Sequence, residues 1–195
     1  MLWPMVGLAA FALAGCFAAV SPAAPPAEPL VEGKPLSHWI EVVRKADTQA
    51  PEWQTAARAL KSSKEVAVPR LLPLLEEKDS RVRLSTMFLL MEMPPLSEDA
   101  VTAFVKATRD PHPGIRLGAL AGLGRATVNK RRVVPVLMAA LKDPSHVMRA
   151  RAAASLGALG PDAAPAISAL TVALGDEHQL VRSAAQEALG KIRGQ

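Results

Sequence analysis

The sequence predicts an all-α solenoid of about five helical hairpins, and three observations predict it. An acidic residue six positions before an arginine recurs four times at a spacing of 33 residues, a period typical of stacked repeats. Apolar residues keep the same period. Aromatic side chains make up only 4% of the 195 residues, so alanine and leucine must supply a core of closely packed helices. The recurring pairs are Glu77/Arg83, Asp110/Arg116, Asp143/Arg149 and Asp176/Arg182.

Four apolar columns run through the four regular copies without a gap. In each copy two columns fall in a first helix and two in a second helix, because the apolar spacing within a copy is helical. The columns are Val68, Val101, Val134 and Ile167; Leu71, Phe104, Leu137 and Leu170; Val82, Ile115, Met148 and Val181; and Leu90, Leu123, Leu156 and Leu189.

Residues 1–16 are predicted to be an export signal. The first 20 residues carry no charged side chain and end in small residues, as secretory signals do. The run Leu13-Ala14-Gly15-Cys16 resembles the bacterial lipobox, in which the cysteine is lipidated, and Cys16 is the single cysteine of the chain. The first segment lacks lysine and arginine, so ordinary cleavage near residues 19–24 stays open. Both alternatives place the protein in the cell envelope, on the periplasmic side.

Residues 17–34 are predicted to be a disordered tether rich in proline and alanine. Four prolines, at positions 22, 25, 26 and 29, favour an extended chain. This tether would hold the folded part, residues 35–195, away from the membrane.

The array is predicted to contain five repeats, at about 35–63, 66–93, 98–127, 131–160 and 162–193. In the divergent first repeat, Ser37 is expected to cap a helix that ends near Asp47, and Trp39 and Trp53 are expected to cover the end of the core. At the other end, polar Thr171 and Gln186 replace apolar column residues. Asp110 and Asp143, each followed by proline, are expected to cap second helices.

The segment from Asp143 to Gly160 resembles the HEAT-repeat consensus, in the subtype also found in phycobilin lyases. Segments 110–126 and 176–192 follow the same pattern. The opening Gly33-Lys34-Pro35-Leu36-Ser37-His38-Trp39 resembles the entry segment of exported bacterial proteins with such repeats. The resemblance implies a right-handed α-solenoid whose second helices line a concave face that binds another macromolecule.

Second-helix residues outside the core columns are therefore the candidate partner site. Leu84, Phe88 and Leu117 would form an apolar patch bordered by Arg125 and Arg151. The alternative is that Leu84 and Phe88 fold over the neighbouring helix pair.

Other patterns point to structure rather than to chemistry. The acid/arginine ladder is expected to join repeats, an anion-binding row being the alternative. Gly118, Gly122 and Gly124 lack the lysine of a phosphate loop, whereas Gly124, Gly157 and Gly190 share a column that permits close helix approach. His112 and His178 lie two repeats apart, too far to share a metal ion. The sequence thus predicts no catalytic residues, no cofactor and no metal.

The basic run at 130–132 was open to two interpretations. It is expected to be a solvated turn, and contact with acidic lipid headgroups or an acidic partner is the alternative.

The predicted function is a non-enzymatic scaffold, exported and lipid-anchored, that binds an unknown protein or peptide on its concave face. A bilin lyase-like activity or a chaperone-type accessory to an enzyme is the alternative, suggested by the repeat subtype alone. Binding of an anionic polymer or nucleic acid is disfavoured because a net charge of +5 is small for so long an array. The oligomeric state and the choice of inner or outer membrane are left open.

Overall fold

The computed structural model describes residues 28–94 and 96–194, which form ten α-helices in five successive pairs. A short antiparallel pair of strands, β1 (Leu30–Val31) and β2 (Lys34–Pro35), precedes them. The helix pairs are α1 (Leu36–Lys45) with α2 (Pro51–Ser62), α3 (Lys64–Leu71) with α4 (Ser80–Met91), α5 (Glu98–Ala107) with α6 (Pro113–Leu123), α7 (Lys130–Ala140) with α8 (His146–Ala158), and α9 (Ile167–Ala173) with α10 (Gln179–Arg193).

The second helices stack in chain order, α4 on α6, α6 on α8, and α8 on α10. Each hairpin therefore packs mainly against its neighbours in the sequence, as the units of a solenoid do. The predicted fold class, an α-solenoid, is confirmed.

The predicted columns form the core of this stack. All four members of one first-helix column are fully buried, and all members of the two second-helix columns are buried. The fourth column is buried only in its middle, because Val68 and Ile167 are partly exposed. The fully buried first-helix column consists of Leu71, Phe104, Leu137 and Leu170.

Proline alters two of the first helices. After Leu71 the chain continues as the 3-10 segment Leu72–Glu76, and another 3-10 segment, Gly160–Ala166, leads into α9. Both segments contain proline, which has no N–H to donate to the helical ladder. The tighter turns keep Leu74 and Leu75 buried despite the change of helix type.

The first pair closes the N-terminal end of the array in a way that corrects two predictions. Residues 28–34, predicted to belong to the tether, are folded, and Val31 is buried under Trp39, whose Nε1 donates to the Val31 carbonyl oxygen at 2.8 Å. Ser37 lies inside α1 and does not cap it; its backbone N–H and hydroxyl both donate to the Glu28 carboxylate, at 2.6 and 2.8 Å. A carboxylate at this end of the helix also suits the helix dipole.

The last pair exposes polar residues at the opposite end. Thr171 and Gln186 are both exposed, in agreement with their interpretation as a cap. Helix α10 ends at Gly194, whose φ of +75° is the left-handed conformation that glycine adopts readily.

Two glycines set the distance between neighbouring second helices. A Cβ atom added to Gly124 would lie 2.8 Å from Ser155 Cα, and one added to Gly157 would lie 2.8 Å from Ala188 Cα. Only glycine permits this approach of two backbones, so the close contact expected of this column is present at both positions.

Candidate functional site

The acid/arginine ladder joins neighbouring repeats through their loops. Arg83 donates through Nε and Nη2 to the Asp110 carboxylate of the next repeat, at 2.7 and 3.0 Å. Arg149 makes the same paired contact with Asp176, at 2.7 and 2.9 Å. In each arginine the remaining nitrogen, Nη1, donates to two carbonyl oxygens of its own repeat. One guanidinium thus fixes two loops at once.

The aspartates of the ladder do not cap the second helices as predicted. Asp110 and Asp143 each accept a hydrogen bond from the backbone N–H two residues later, at 2.8 Å, before the helix begins. The N-cap residues, which directly precede these helices, are His112 and Ser145. The carboxylates instead shape a turn, a common use of aspartate. Asp47 makes the same contact in the first repeat, where it accepts a hydrogen bond from the Gln49 backbone N–H.

The ladder lowers the pKa of two carboxyl groups, those of Asp110 and Asp176. Burial of Asp110 acts to raise the pKa of its carboxyl group, but hydrogen bonds from Arg83 and from the His112 backbone outweigh burial, and this pKa lies below its ordinary value. The Arg149 guanidinium, together with the His178 backbone N–H, lowers the pKa of Asp176 to about 2. Both carboxylates are therefore charged at neutral pH.

The two other arginines of the ladder bind only their own repeats. Arg116 donates to the carbonyl oxygens of Asp110 and Pro111, and within the described residues it forms no ion pair with Asp143. Arg182, in the last repeat, donates to the carbonyl oxygens of Asp176 and Glu177. Because every ladder arginine is hydrogen-bonded to the array, the geometry favours a structural role over an anion-binding row.

The outward sides of α4, α6, α8 and α10 form a continuous surface with exposed apolar side chains, here called the second-helix face. Phe88 is 49% exposed, whereas Leu84 and Leu117 are partly buried against the core. The predicted patch is therefore divided: Phe88 faces outward, while Leu84 and Leu117 pack against the core. The face is defined by Leu84, Phe88, Leu117, Ala121, Val147, Ala154 and Leu180.

Sequence reasoning missed two members of this face. Val147 and Leu180 are 41% and 56% exposed and lie on either side of a groove of about 320 Å³ between α8 and α10. They occupy the column directly before the buried Met148 and Val181, where the earlier repeats have Arg81 and Gly114. Two apolar residues in a column that is otherwise polar or small were the available signal.

A second groove, of about 300 Å³, lies beside Phe88. It is bounded by α4 and by the end of α1 with the turn that follows. The second-helix face therefore has a groove near each end, and the groove beside Phe88 is lined by charged as well as apolar residues.

Arg125 lies on this face between the two grooves, and Arg151 lines the groove between α8 and α10. Both are exposed, and neither forms an ion pair within the described residues. Arg125 Nη1 donates to the Met91 carbonyl oxygen at the end of α4, at 2.8 Å, which fixes the side chain across two repeats. The remaining N–H groups of both arginines are available to a ligand.

The largest groove, of about 940 Å³, lies away from this face, between the first helices of the second and third repeats. Its charged groups are largely engaged with one another. Lys106 pairs with Glu76 at 2.6 Å, and Arg132 donates to the Thr102 hydroxyl at 3.2 Å. Arg109 and Arg132 form no ion pair within the described residues, but the lining contains no large exposed apolar side chain, so this groove is a weaker candidate for a partner site.

Residues 101–190 match the family described as HEAT repeats. The match spans the third, fourth and fifth helix pairs almost completely, so this part of the chain is similar to HEAT repeats.

Solved structures share the solenoid fold of this chain. One is the complex of CpcE and CpcF of phycocyanin lyase from Nostoc sp., with a TM-score of 0.68 and 22% identity over 78% of this chain and 96% of that chain. Another is a designed armadillo repeat protein in complex with the peptide (KR)4, with a TM-score of 0.58 and 16% identity over 80% and 81% of the two chains. An engineered protein gives 0.57 and 20% over 82% and 79%.

These identities establish the solenoid fold alone. No sequence among curated proteins is similar enough to count as a relative.

Two histidines of adjacent repeats lie against each other, which the sequence did not predict. The rings of His146 and His178 stack with centroids 4.0 Å apart and an angle of 17° between the planes. They belong to adjacent repeats, whereas the predicted column paired His112 with His178. Across residues 28–94 and 96–194, no group of three His, Cys, Asp or Glu side chains is arranged to hold a metal ion.

The basic run at 130–132 is tied to neighbouring repeats. Lys130 forms an ion pair with Asp162 at 2.5 Å, and Arg132 donates to Thr102 in the preceding repeat. Arg131 and Arg132 are both exposed and form no ion pair in the described part of the chain, and Arg132 is held only by its hydrogen bond to the Thr102 hydroxyl. The run is therefore more than a solvated turn.

None of the helices in the described ranges combines the length and the apolar character that crossing a bilayer requires. Cys16 and the rest of the predicted export signal lie outside those ranges.

Proposed function

We propose that this HEAT-repeat protein is a non-enzymatic scaffold that binds a partner protein across its second-helix face. The observation that carries the proposal is the exposure of Phe88, Val147 and Leu180 on the second-helix face. Most residues of the four apolar columns are buried in the core instead. Exposed apolar residues gathered on one face of a soluble protein mark interaction sites. Large side chains that project from such a face dominate the energy of many interfaces.

The repeat architecture supports the same proposal. A stack of second helices provides a long surface rather than an enclosed pocket, and such surfaces suit an extended partner. One structure of similar fold, the designed armadillo repeat protein, was solved with a bound peptide.

A crosslinking pull-down from membranes tests the proposal. We expect wild-type protein to capture a partner that the double variant Phe88→Ser, Val147→Ser no longer retains. Val172→Ser is the matched control, because Val172 is 79% exposed but lies on a first helix. Equal capture by all three proteins would contradict a role for the second-helix face.

We also propose that the protein is exported and anchored in the cell envelope through a lipid on Cys16. The support is the apolar first segment and its lipobox-like end, Leu13-Ala14-Gly15-Cys16. Metabolic labelling with a palmitate analogue should label the wild-type protein and leave Cys16→Ser unlabelled. Equal labelling of both would refute the anchor. Recovery in the periplasm without a lipid would favour ordinary signal cleavage.

A bilin lyase-like activity is the second candidate. It is favoured by the structural likeness to the CpcE and CpcF complex of phycocyanin lyase, which at 22% identity concerns the fold. Incubation with a bilin and an acceptor protein, followed by absorbance of the acceptor after denaturation, decides the matter. Covalent bilin on the acceptor would support the lyase over the scaffold.

A further inference from the structure

The charges on the second-helix face are unequal once its internal ion pairs are taken into account. Three acidic residues along the face have a basic partner, whereas Asp47, which lines the groove beside Phe88, forms no ion pair in the described ranges. These pairs are Asp79 with Arg81 at 2.8 Å, Glu92 with Lys61 at 2.7 Å, and Glu187 with Lys191 at 2.6 Å. Arg125 and Arg151 remain without a carboxylate in the described ranges. The face therefore presents two positive groups that nothing in the array neutralises.

Arg125 lies between the two grooves, and Arg151 lines the groove between α8 and α10. One groove lies beside Phe88, and the other lies between Val147 and Leu180. Arg125 is held in place by its bond to the Met91 carbonyl oxygen, so part of the entropy of ordering its side chain has already been lost before a ligand arrives. A carboxylate is the anion that a guanidinium group binds with two parallel hydrogen bonds.

We propose that the partner's bound segment is an extended acidic peptide with two apolar side chains. The apolar side chains occupy the two grooves, and carboxylates between them bind Arg125 and Arg151. This inference rests on the proposed scaffold function and specifies the chemistry of its partner. A basic peptide such as the (KR)4 ligand of the designed armadillo repeat protein has the wrong charge for this face.

The distances set the length of the segment. Neighbouring packed helices lie about 8–10 Å apart, so the two grooves are separated by about 25 Å. An extended chain covers that distance in about seven or eight residues at about 3.3 Å per residue. The two apolar residues should therefore be about seven positions apart, with glutamate or aspartate between them.

The face is better suited to a peptide than to a nucleic acid. Small or apolar residues, including Ala121 and Ala154, separate the arginines, and the lysines along the face are paired, Lys191 with Glu187, Lys61 with Glu92 and Lys45 with Glu41. A nucleic-acid surface would require a denser row of cations to follow the phosphates.

Fluorescence anisotropy with synthetic peptides provides the test. The probe is a labelled decapeptide of glutamates with two leucines seven positions apart. Three comparison ligands are used: the same peptide with serine for leucine, the same peptide with lysine for glutamate, and a single-stranded oligonucleotide of ten nucleotides. We expect the glutamate/leucine probe to bind, the serine version to bind at least about tenfold more weakly, and the lysine version not to bind.

Charge reversal on the protein isolates the two arginines. The variant Arg125→Glu, Arg151→Glu should weaken binding of the probe by about tenfold or more, because charge-assisted hydrogen bonds are lost and like charges then face each other. The control Arg131→Glu, Arg193→Glu makes the same change in net charge on exposed residues away from the face and should leave binding unchanged. Circular dichroism shows whether both variants keep their helices.

Several results would overturn the inference. The first is that the probe does not bind at about 1 mM, a concentration at which even weak binding is detectable. The second is an equal loss of binding in the face variant and in the control. The others are stronger binding of the lysine peptide than of the probe, and binding of the oligonucleotide that is stronger than that of the probe and is lost in the face variant. The natural partner separates this inference from the proposed function. If a partner crosslinks to the second-helix face regardless of charge reversal, the acidic ligand is wrong and the scaffold stands. If partners crosslink only elsewhere, the scaffold proposal fails.

Discussion

Replacing Gly157 by alanine tests the spacing between neighbouring repeats. The added Cβ atom would lie 2.8 Å from Ala188 Cα and 3.0 Å from its Cβ, so α8 and α10 must move apart. A shift of backbone against backbone is expensive because packed interiors leave no free space, and overpacking of this kind costs about 1–3 kcal/mol. Helix propensity acts in the opposite direction, since alanine is favoured over glycine by about 0.5–1 kcal/mol within a helix.

Gly190 separates these two effects. It occupies the same column in α10, the last helix described, and no later helix in the described part of the chain faces it. Gly190→Ala should therefore show the propensity gain alone, about 0.5–1 kcal/mol more stable. The difference between the two variants isolates the steric effect, expected at about 1–3 kcal/mol.

Urea unfolding followed by circular dichroism measures both changes. Equal free-energy changes for Gly157→Ala and Gly190→Ala would refute the close approach of α8 and α10. A change in the slope of the unfolding curve would indicate loss of two-state behaviour and would require hydrogen exchange to locate the loosened repeat.

Three further predictions concern the ladder, the core and the N-terminal end. Asp176→Asn should destabilise the protein at neutral pH. The difference in the free energy of unfolding between variant and wild type should shrink as the pH falls from about 4 toward 2, because the pKa of this carboxyl is lower in the folded than in the unfolded state. A constant difference across that range, measured by thermal unfolding, would contradict this. Phe104→Ala should cost about 3–5 kcal/mol in urea unfolding because the ring is fully buried, and a loss below 1 kcal/mol would be inconsistent with a packed core. Trp39→Phe removes the donor to the Val31 carbonyl oxygen, so amide exchange in residues 28–35 should become faster while exchange in α8 stays unchanged, and equal acceleration in both would argue against a local cap.

The periodic features of this fold could be predicted from the sequence because they depend on spacing alone. Leu71 and its three equivalents are all fully buried, and the glycine column contains two positions of close helix approach. In a solenoid each repeat meets its neighbours in the same way, so a column in the sequence becomes a row in the structure.

The features that escaped prediction depend on which side chains of neighbouring repeats face each other. The sequence placed Asp110 in the same copy as Arg116, but the carboxylate binds Arg83 from the copy before, because the connecting loops stack on each other. The stacked rings of His146 and His178 differ by one position from a column, a displacement that long side chains can bridge. Similarly, a proline-rich composition concealed the folding of residues 28–34 beneath Trp39.

The candidate site was predicted in part. Phe88, Arg125 and Arg151 are exposed, as a binding surface requires, while Leu84 and Leu117 are partly buried. Val147 and Leu180 were missed because each directly precedes a buried core position and the equivalent residues of the earlier copies, Arg81 and Gly114, are not apolar. Exposure depends on how tightly the neighbouring helix packs, which residue types alone do not specify.

Site-specific photo-crosslinking in cells tests the central claim most directly. A photoreactive amino acid is placed at position 88 on the second-helix face or at position 172 on a first helix, both exposed in the folded protein. The scaffold account predicts a discrete protein adduct at position 88 that is absent at position 172. Adducts at 172 without any at 88 would contradict it.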